Sequence, residues 1–219
     1  TLVPTARQTM LFSATLSKEI MELATRQMKL PTRIEVAPSG TTSERVSQEF
    51  FIVRKDEKLR LLEKILGDYR GSTLVFSRTK HGADKISHRL ERKGVKSIAI
   101  HSNRTQAQRQ RALAGFKHGD YKVLVATDIA ARGIDVEGIS HVVNFDTPAF
   151  AEDYIHRIGR TARATLKGDA LTFVSRSEQE YLRKIEYFVG KRFELKKYPG
   201  FDDTKRRTPE THPATEVRR

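Results

Sequence analysis

Three arginines and a histidine fall within the eight residues His156-Arg157-Ile158-Gly159-Arg160-Thr161-Ala162-Arg163. Guanidinium groups held together at a helix end are suited to gripping a phosphate with paired donors. A solvated basic helix face is the competing explanation. Thr147 reads as a helix cap with Pro148 at the first helical position. Glu152 and Asp153 follow, where acidic groups suit the positive helix end. Ala151, Tyr154, Ile155 and Ile158 fall on one side at helical spacing and His156 on the other. Gly159 reads as a left-handed stop that throws Arg160 and Arg163 into the turn beyond.

A second polar stretch runs from Ala126 to Asp135, leaving an apolar run through Thr127 and Asp128 toward Arg132, Gly133 and Asp135. Carboxylates flanking an arginine suit an internal ion-pair network. The same residues also suit Thr127 donating to a nucleic-acid phosphate and Asp135 accepting from a sugar hydroxyl. Thr105-Gln106-Ala107-Gln108 is a capping box. It places Arg109 on a stripe with Leu113 and Phe116, aimed at the protein body, where it either meets a phosphate-accessible edge or snorkels.

The elements that must position these residues alternate. Strands are predicted at Val46–Val53, Thr73–Phe76, Val95–Ile100, Val123–Ala126, His141–Phe145 and Ala170–Val174. Helical stripes between them run through Leu59, Leu62 and Leu66, through Ala83, Ile86 and Leu90 with a stop at Gly94, and through Leu113 and Phe116. A last helix spans about Ser177 to Val189. Short continuous apolar runs alternating with helices predict a parallel α/β sheet with right-handed crossovers. In such sheets ligands bind beyond the carboxyl ends of the strands. Those ends are Ser77-Arg78-Thr79, His101-Ser102-Asn103, Thr127-Asp128 and Asp146-Thr147.

Before this unit, Gln8–Phe12, a helix capped by Ser17 and bearing Ile20, Leu23, Ala24 and Met28, and a run around Arg33–Val36 predict strand–helix–strand with no sheet of its own. Domain boundaries follow as 1–37, a Pro/Gly/Ser-rich linker at 38–45, the main domain at 46–200 and a flexible tail at 201–219.

Lys and Arg number 41 against 27 Asp and Glu, a formal charge of +14 in 219 residues, which favours a polyanionic partner. No apolar run approaches the ~20 residues of a membrane span. Zero Cys excludes disulfides and thiolate metal sites and fits a reducing, cytoplasmic setting. The seven His show no metal-ligand spacing, so no metal site is expected.

The order and spacing of Ser13-Ala14-Thr15, Leu74 through Lys80, Gln106-Ala107-Gln108-Arg109, Ala126 through Asp135 and His156 through Arg163 closely resemble the DEAD-box ATP-dependent RNA helicases, from about Arg7 to about Arg192. The resemblance implies two RecA-like domains, with ATP and Mg2+ in the cleft between them and RNA across both. The chain then corresponds to the end of the first domain, the linker and the whole second domain. The phosphate-cradling G-x-x-x-x-G-K-[ST] loop and the Asp-Glu-Ala-Asp segment do not occur in it. An unaided chain is accordingly expected to be inactive.

The resemblance further implies Arg160 and Arg163 as arginine fingers and Asp135 at the ATP ribose. It implies Ser13, Thr15, His156 and Arg157 at the junction with the N-terminal RecA-like domain. Thr79, Gln106, Arg109, Thr127 and Arg132 would serve RNA. Three departures stand out. Ala162 occupies a place where the family usually carries Gly, which restricts the turn that aims Arg163, Thr165-Leu166-Lys167-Gly168 replaces a more Gly-rich continuation, and His101-Ser102-Asn103 stands where the family often has His-Gly-Asp. A DNA translocase and a non-catalytic RNA-binding module are the alternatives.

Overall fold

A computed structural model describes residues 3–4, 6–13, 18–34, 46–131, 136, 138–162 and 168–202. Its centre is a seven-stranded, wholly parallel sheet. The strands are β1 (Val46–Ile52), β2 (Thr73–Phe76), β3 (Ser97–Ile100), β4 (Val123–Ala126), β5 (His141–Asn144), β6 (Gly168–Val174) and β7 (Leu195–Lys196), in the spatial order β3-β4-β2-β5-β6-β1-β7. β2, β4 and β5 are buried at every position, as continuous apolar runs require when helices cover both faces.

One face carries α2 (Lys58–Asp68) and α3 (Lys80–Arg92), whose Leu61, Ile65, Ile86 and Leu90 pack on Val75, Val125, Val143 and Leu171. The opposite face carries α4 (Gln106–His118) and the short α5 (Asp128–Ala131) over Leu74, Leu124 and Val142. Beside them α6 (Ala151–Ile158) and α7 (Gln179–Val189) lie over Phe50, Ala170 and Val174. Crossovers that step toward the β3 edge hold their helices on the first face, and those that step toward the β7 edge hold theirs on the second. A single crossover hand gives this segregation.

The N-terminal segment forms α1 (Lys18–Gln27), but residues 8–13 and 28–34 form no strand. The expected strand–helix–strand is therefore corrected to a helix with irregular flanks. A short strand satisfies its backbone only in a ladder, and the seven-stranded sheet offers these flanks none. Their apolar side chains stay in solvent: Met10, Phe12, Leu30 and Ile34 are all exposed. Ser17, the expected cap, and residues 35–36 lie outside the described residues.

At the other end the chain remains packed beyond 200. Tyr198 is buried, donates to Asp68 (2.9 Å) and meets Phe51 edge-on, and Phe201 lies against the same core with the Arg60 guanidinium over its ring. Residues 203–219 lie outside the described residues. Among the described residues no helix is long and apolar enough to cross a membrane.

Candidate functional site

The carboxyl ends of β3, β4 and β2 are neighbours, so three loops converge on one rim. After β2, Thr79 caps α3, its hydroxyl accepting from the Gly82 N–H (2.9 Å) and remaining exposed. Gly82 suits this close turn, because a Cβ there would lie 2.5 Å from the Ser77 hydroxyl.

After β3, the expected capping box forms: the Thr105 hydroxyl accepts from the Gln108 N–H and the Gln108 side chain accepts from the Thr105 N–H. Gln106 is thereby presented, exposed, at the start of α4. The loop leading to it is pinned to α3. Buried His101 bonds Asp84 (2.9 Å), Arg104 donates to the same carboxylate (2.8 Å), and Lys80 donates to Asn103 (3.1 Å). Burial opposes ionisation of Asp84, but the His101 bond and the Arg104 charge outweigh it and hold the carboxyl below its ordinary range.

Arg109 reaches across to donate to the Ala130 carbonyl (3.1 Å), tying α4 to α5. Its Nε is buried with no hydrogen-bond partner among the described residues, a donor left for something else to satisfy. Thr127, half-buried, ends β4 beside this contact. Thr79, Gln106, Arg109 and Thr127 thus come to one edge from three adjacent strands. Arg132 and Asp135 lie outside the described residues.

Around α6 the sequence expectations need correction. Helix α6 begins at Ala151 with Phe150 at the cap position and no side-chain cap. Thr147 is instead fully buried, its hydroxyl donating to the Phe173 carbonyl (2.9 Å), so it stitches β5 to β6. Gly159 is not left-handed (φ −66°). The N–H groups of Arg160 and Thr161 donate to the Arg157 and Ile158 carbonyls (3.1 Å each), so the last turn tightens and carries on past Gly159. The left-handed residue is Ala162, with φ +53°.

Arg157, expected at a domain junction, is buried. Its guanidinium makes a bidentate pair with Asp128 (2.6 and 2.8 Å), donates to Asn144 (3.2 Å) and to the Asp146 carbonyl (2.8 Å), and lies over the Phe76 ring. Four of its donor positions are engaged within the domain, where the side chain braces the ends of β4 and β5. His156 is half-buried, Arg160 is half-buried on the turn beyond α6, and Ser13 is exposed on irregular backbone. Arg163 and Thr15 lie outside the described residues.

Sequence reasoning missed a second buried ion pair under the rim. Lys58 donates to Glu178 (2.5 Å) and to the Phe145 carbonyl (2.8 Å). Glu178 also accepts from the Ser175 N–H (2.9 Å) and hydroxyl (2.5 Å), and Arg78 and the Thr147 N–H approach its other oxygen. Burial disfavours the Glu178 carboxylate, yet the Lys58 ammonium and the Ser175 donors hold its pKa below the ordinary value. The available signal was Lys58 itself, a cation four residues before Leu62 on an apolar stripe.

An all-parallel α/β domain with a polar rim built from three adjacent strand ends defines a class, and residues 57–165 match the family described as helicase conserved C-terminal domain. The chain is 40% identical over 211 residues to the ATP-dependent RNA helicase DbpA of Bacillus subtilis, covering 95% of this chain and 44% of the relative. It is similar to the C-terminal domain of the DEAD-box protein Dbp5 (32% identity, 67% of this chain, 87% of that one, TM-score 0.62). It is also similar to Saccharomyces cerevisiae Dbp5 bound to RNA and ADP BeF3 (29% identity, 90% of this chain, 52% of that one, TM-score 0.80). The chain belongs to the DEAD-box RNA helicase family, of which it carries the C-terminal helicase domain. It spans less than half the length of the curated relative it matches.

Proposed function

We propose that this chain is the C-terminal half of an ATP-dependent RNA helicase, contributing arginine fingers and part of an RNA-binding surface to local duplex unwinding. The observation that carries the reading is the rim itself, where Thr79, Gln106, Arg109 and Thr127 arrive from three adjacent strand ends. Hydroxyls, an amide and a guanidinium with an unpartnered buried Nε are groups that hold phosphates in register without reading bases. Arg132 joins them in this proposal.

The nucleotide half-site is assigned to Arg160 and Arg163, with Asp135 at the ribose. The fit of a triphosphate rests on the fixed stem of the α6 turn. Arg157 is locked to Asp128, so the following turn, which carries Arg160, leaves a rigid base. ATP would supply the hydrolysable phosphoanhydride. The chain's own part is to lay positive charge where charge develops on the transferred phosphoryl, a contribution of ~10³–10⁵ in rate where arginine fingers have been measured. In this reading Mg2+ and the triphosphate cradle belong to an N-terminal RecA-like domain.

Ser13, Thr15 and His156 are proposed to meet that domain, and the exposed Met10, Phe12, Leu30 and Ile34 give it an apolar surface to cover. In this reading the chain by itself does not hydrolyse ATP. Joined to such a domain, it should show RNA-stimulated turnover. Arg160→Ala and Arg163→Ala should then reduce turnover by at least about a hundredfold while leaving RNA affinity within about twofold. Wild-type turnover in both variants would remove the finger assignment.

A further inference from the structure

Helix α3 carries a cationic stripe that the rim does not use. His81, Lys85, His88 and Arg92 are spaced at i, i+4, i+7 and i+11, so they share one face, and all four are exposed. The opposite side of the helix is fixed on the sheet by Ala83, Ile86 and Leu90. Two of its neighbouring acids are engaged elsewhere. Asp84 is held by His101 and Arg104, and Glu63 lies beside Arg89 on the α2 side. Glu91 pairs with His88, but His81, Lys85 and Arg92 have no ion pair or hydrogen bond to another described residue. Lys85 and Arg92 therefore present uncompensated charge about 10 Å apart along a rigid helix face.

It also has a direction. The helix starts at Thr79, inside the rim, and runs away from it along the outer surface of the domain. A polyanion leaving the rim past Thr79 would continue directly onto this face.

We propose that the α3 stripe is an auxiliary RNA-binding track, gripping the phosphate backbone of RNA that extends beyond the rim. The proposal rests on the rim being an RNA site, and it is independent of base sequence, because ammonium and guanidinium groups on an open helix face read only charge and spacing.

The test is fluorescence anisotropy on the 219-residue chain, with a labelled oligouridine just long enough for the rim and a second several times longer, over a salt series. The double variant Lys85→Glu/Arg92→Glu should lose about tenfold affinity for the long RNA. Its salt slope should fall by about 1.4, at ~0.7 per single-strand phosphate contact. Its affinity for the short RNA should hold within about twofold. Lys85→Gln/Arg92→Gln should give a smaller loss in the same direction. As a control, Arg183→Glu/Lys184→Glu reverses two exposed charges on α7, across the sheet, and should leave the length dependence intact.

An unchanged affinity for the long RNA, or an equal loss in the α7 control, overturns the track. Competition by polyglutamate as effective as by RNA would assign the stripe to an acidic protein instead and equally overturns it. Arg109→Ala separates the two ideas: normal binding of both RNAs by that variant refutes the rim, while the length-dependent loss in the stripe variant would still stand.

Discussion

Arg157 and Arg160 are three residues apart, Arg157 buried inside the domain and Arg160 half-buried on the turn beyond α6. Asp128, Asn144 and the Asp146 carbonyl converge on position 157, so its charge is paired and its fork is filled. Removing it leaves Asp128 without its partner in a confined place, so Arg157→Ala should cost about 3–5 kcal/mol, read as a fall in the denaturant midpoint. Arg157→Lys should recover only part of that, because an ammonium cannot make the bidentate pair. Five residues further on, the cost is conformational. Ala162 sits at φ +53°, where a Cβ is disfavoured. Ala162→Gly should therefore leave stability unchanged or raise it by up to ~1 kcal/mol, the strain relieved being partly offset by unfolded-state entropy, while Ala162→Val should lower it. Gly168 faces this turn from β6, and a Cβ there would come within 2.8 Å of the Ala162 nitrogen. Backbone cannot step aside as a flexible side chain does, so Gly168→Ala should cost about 2 kcal/mol or more in the same assay.

The elements that hold the rim are joined by paired charges as well as by apolar packing. Lys58 on α2 and Glu178, on the 3-10 turn Arg176–Glu178 before α7, bring the two ends of the domain's chain together under β5. Glu178 has a folded-state pKa below its unfolded value. Its stabilising contribution is thus complete above the unfolded pKa of ~4.3 and lost as pH falls through the lower folded value. Thermal melts below about pH 4 should show this loss, and Glu178→Gln, less stable at neutral pH, should melt with a shallower acid dependence. Where an element's determinants are local, they were legible in the residues. The Thr105–Gln108 box starts α4 as expected, and β2 and β4 run between the predicted ends because their apolar runs stop at polar turns. Where a partner lies far along the chain, local pattern misled. Thr147 has the spacing of a cap, but its hydroxyl is taken by Phe173 from the neighbouring strand. Nothing in the local pattern around Arg157 points to Asp128, which comes from α5 and pairs with it in the fold. The two-residue β7 has too little sequence to carry a period and exists because β1 offers it an edge. Of the rim, Thr79 and Thr127 were legible as strand ends and Arg109 from its place on the α4 stripe, Gln106 was singled out only by the family resemblance, and the ion pairs that brace them were not legible.

For the whole molecule, the crossovers place the carboxyl ends of the strands on one side, which is why residues scattered from 79 to 127 come to one edge of the sheet. Part of the +14 charge lies exposed along α3 at Lys85 and Arg92, while Asp84 and Glu63 are taken up by other partners. The sheet order has a further result for how the protein is made. β1, the first strand of this sheet in chain order, is flanked by the last two, with Val46 opposite Gly168 and Phe50 opposite Leu195. Its Phe50 and Phe51 are almost fully covered, one on each face. On a ribosome adding about 5–20 residues per second, the ~120 residues between β1 and its partner take roughly 6–24 s to emerge. During that interval β1 is a sticky, unmated ribbon with both edges open, the form most prone to pair with a neighbouring nascent chain. Chaperone demand should therefore concentrate on this early strand and end only when the closing strands leave the exit tunnel.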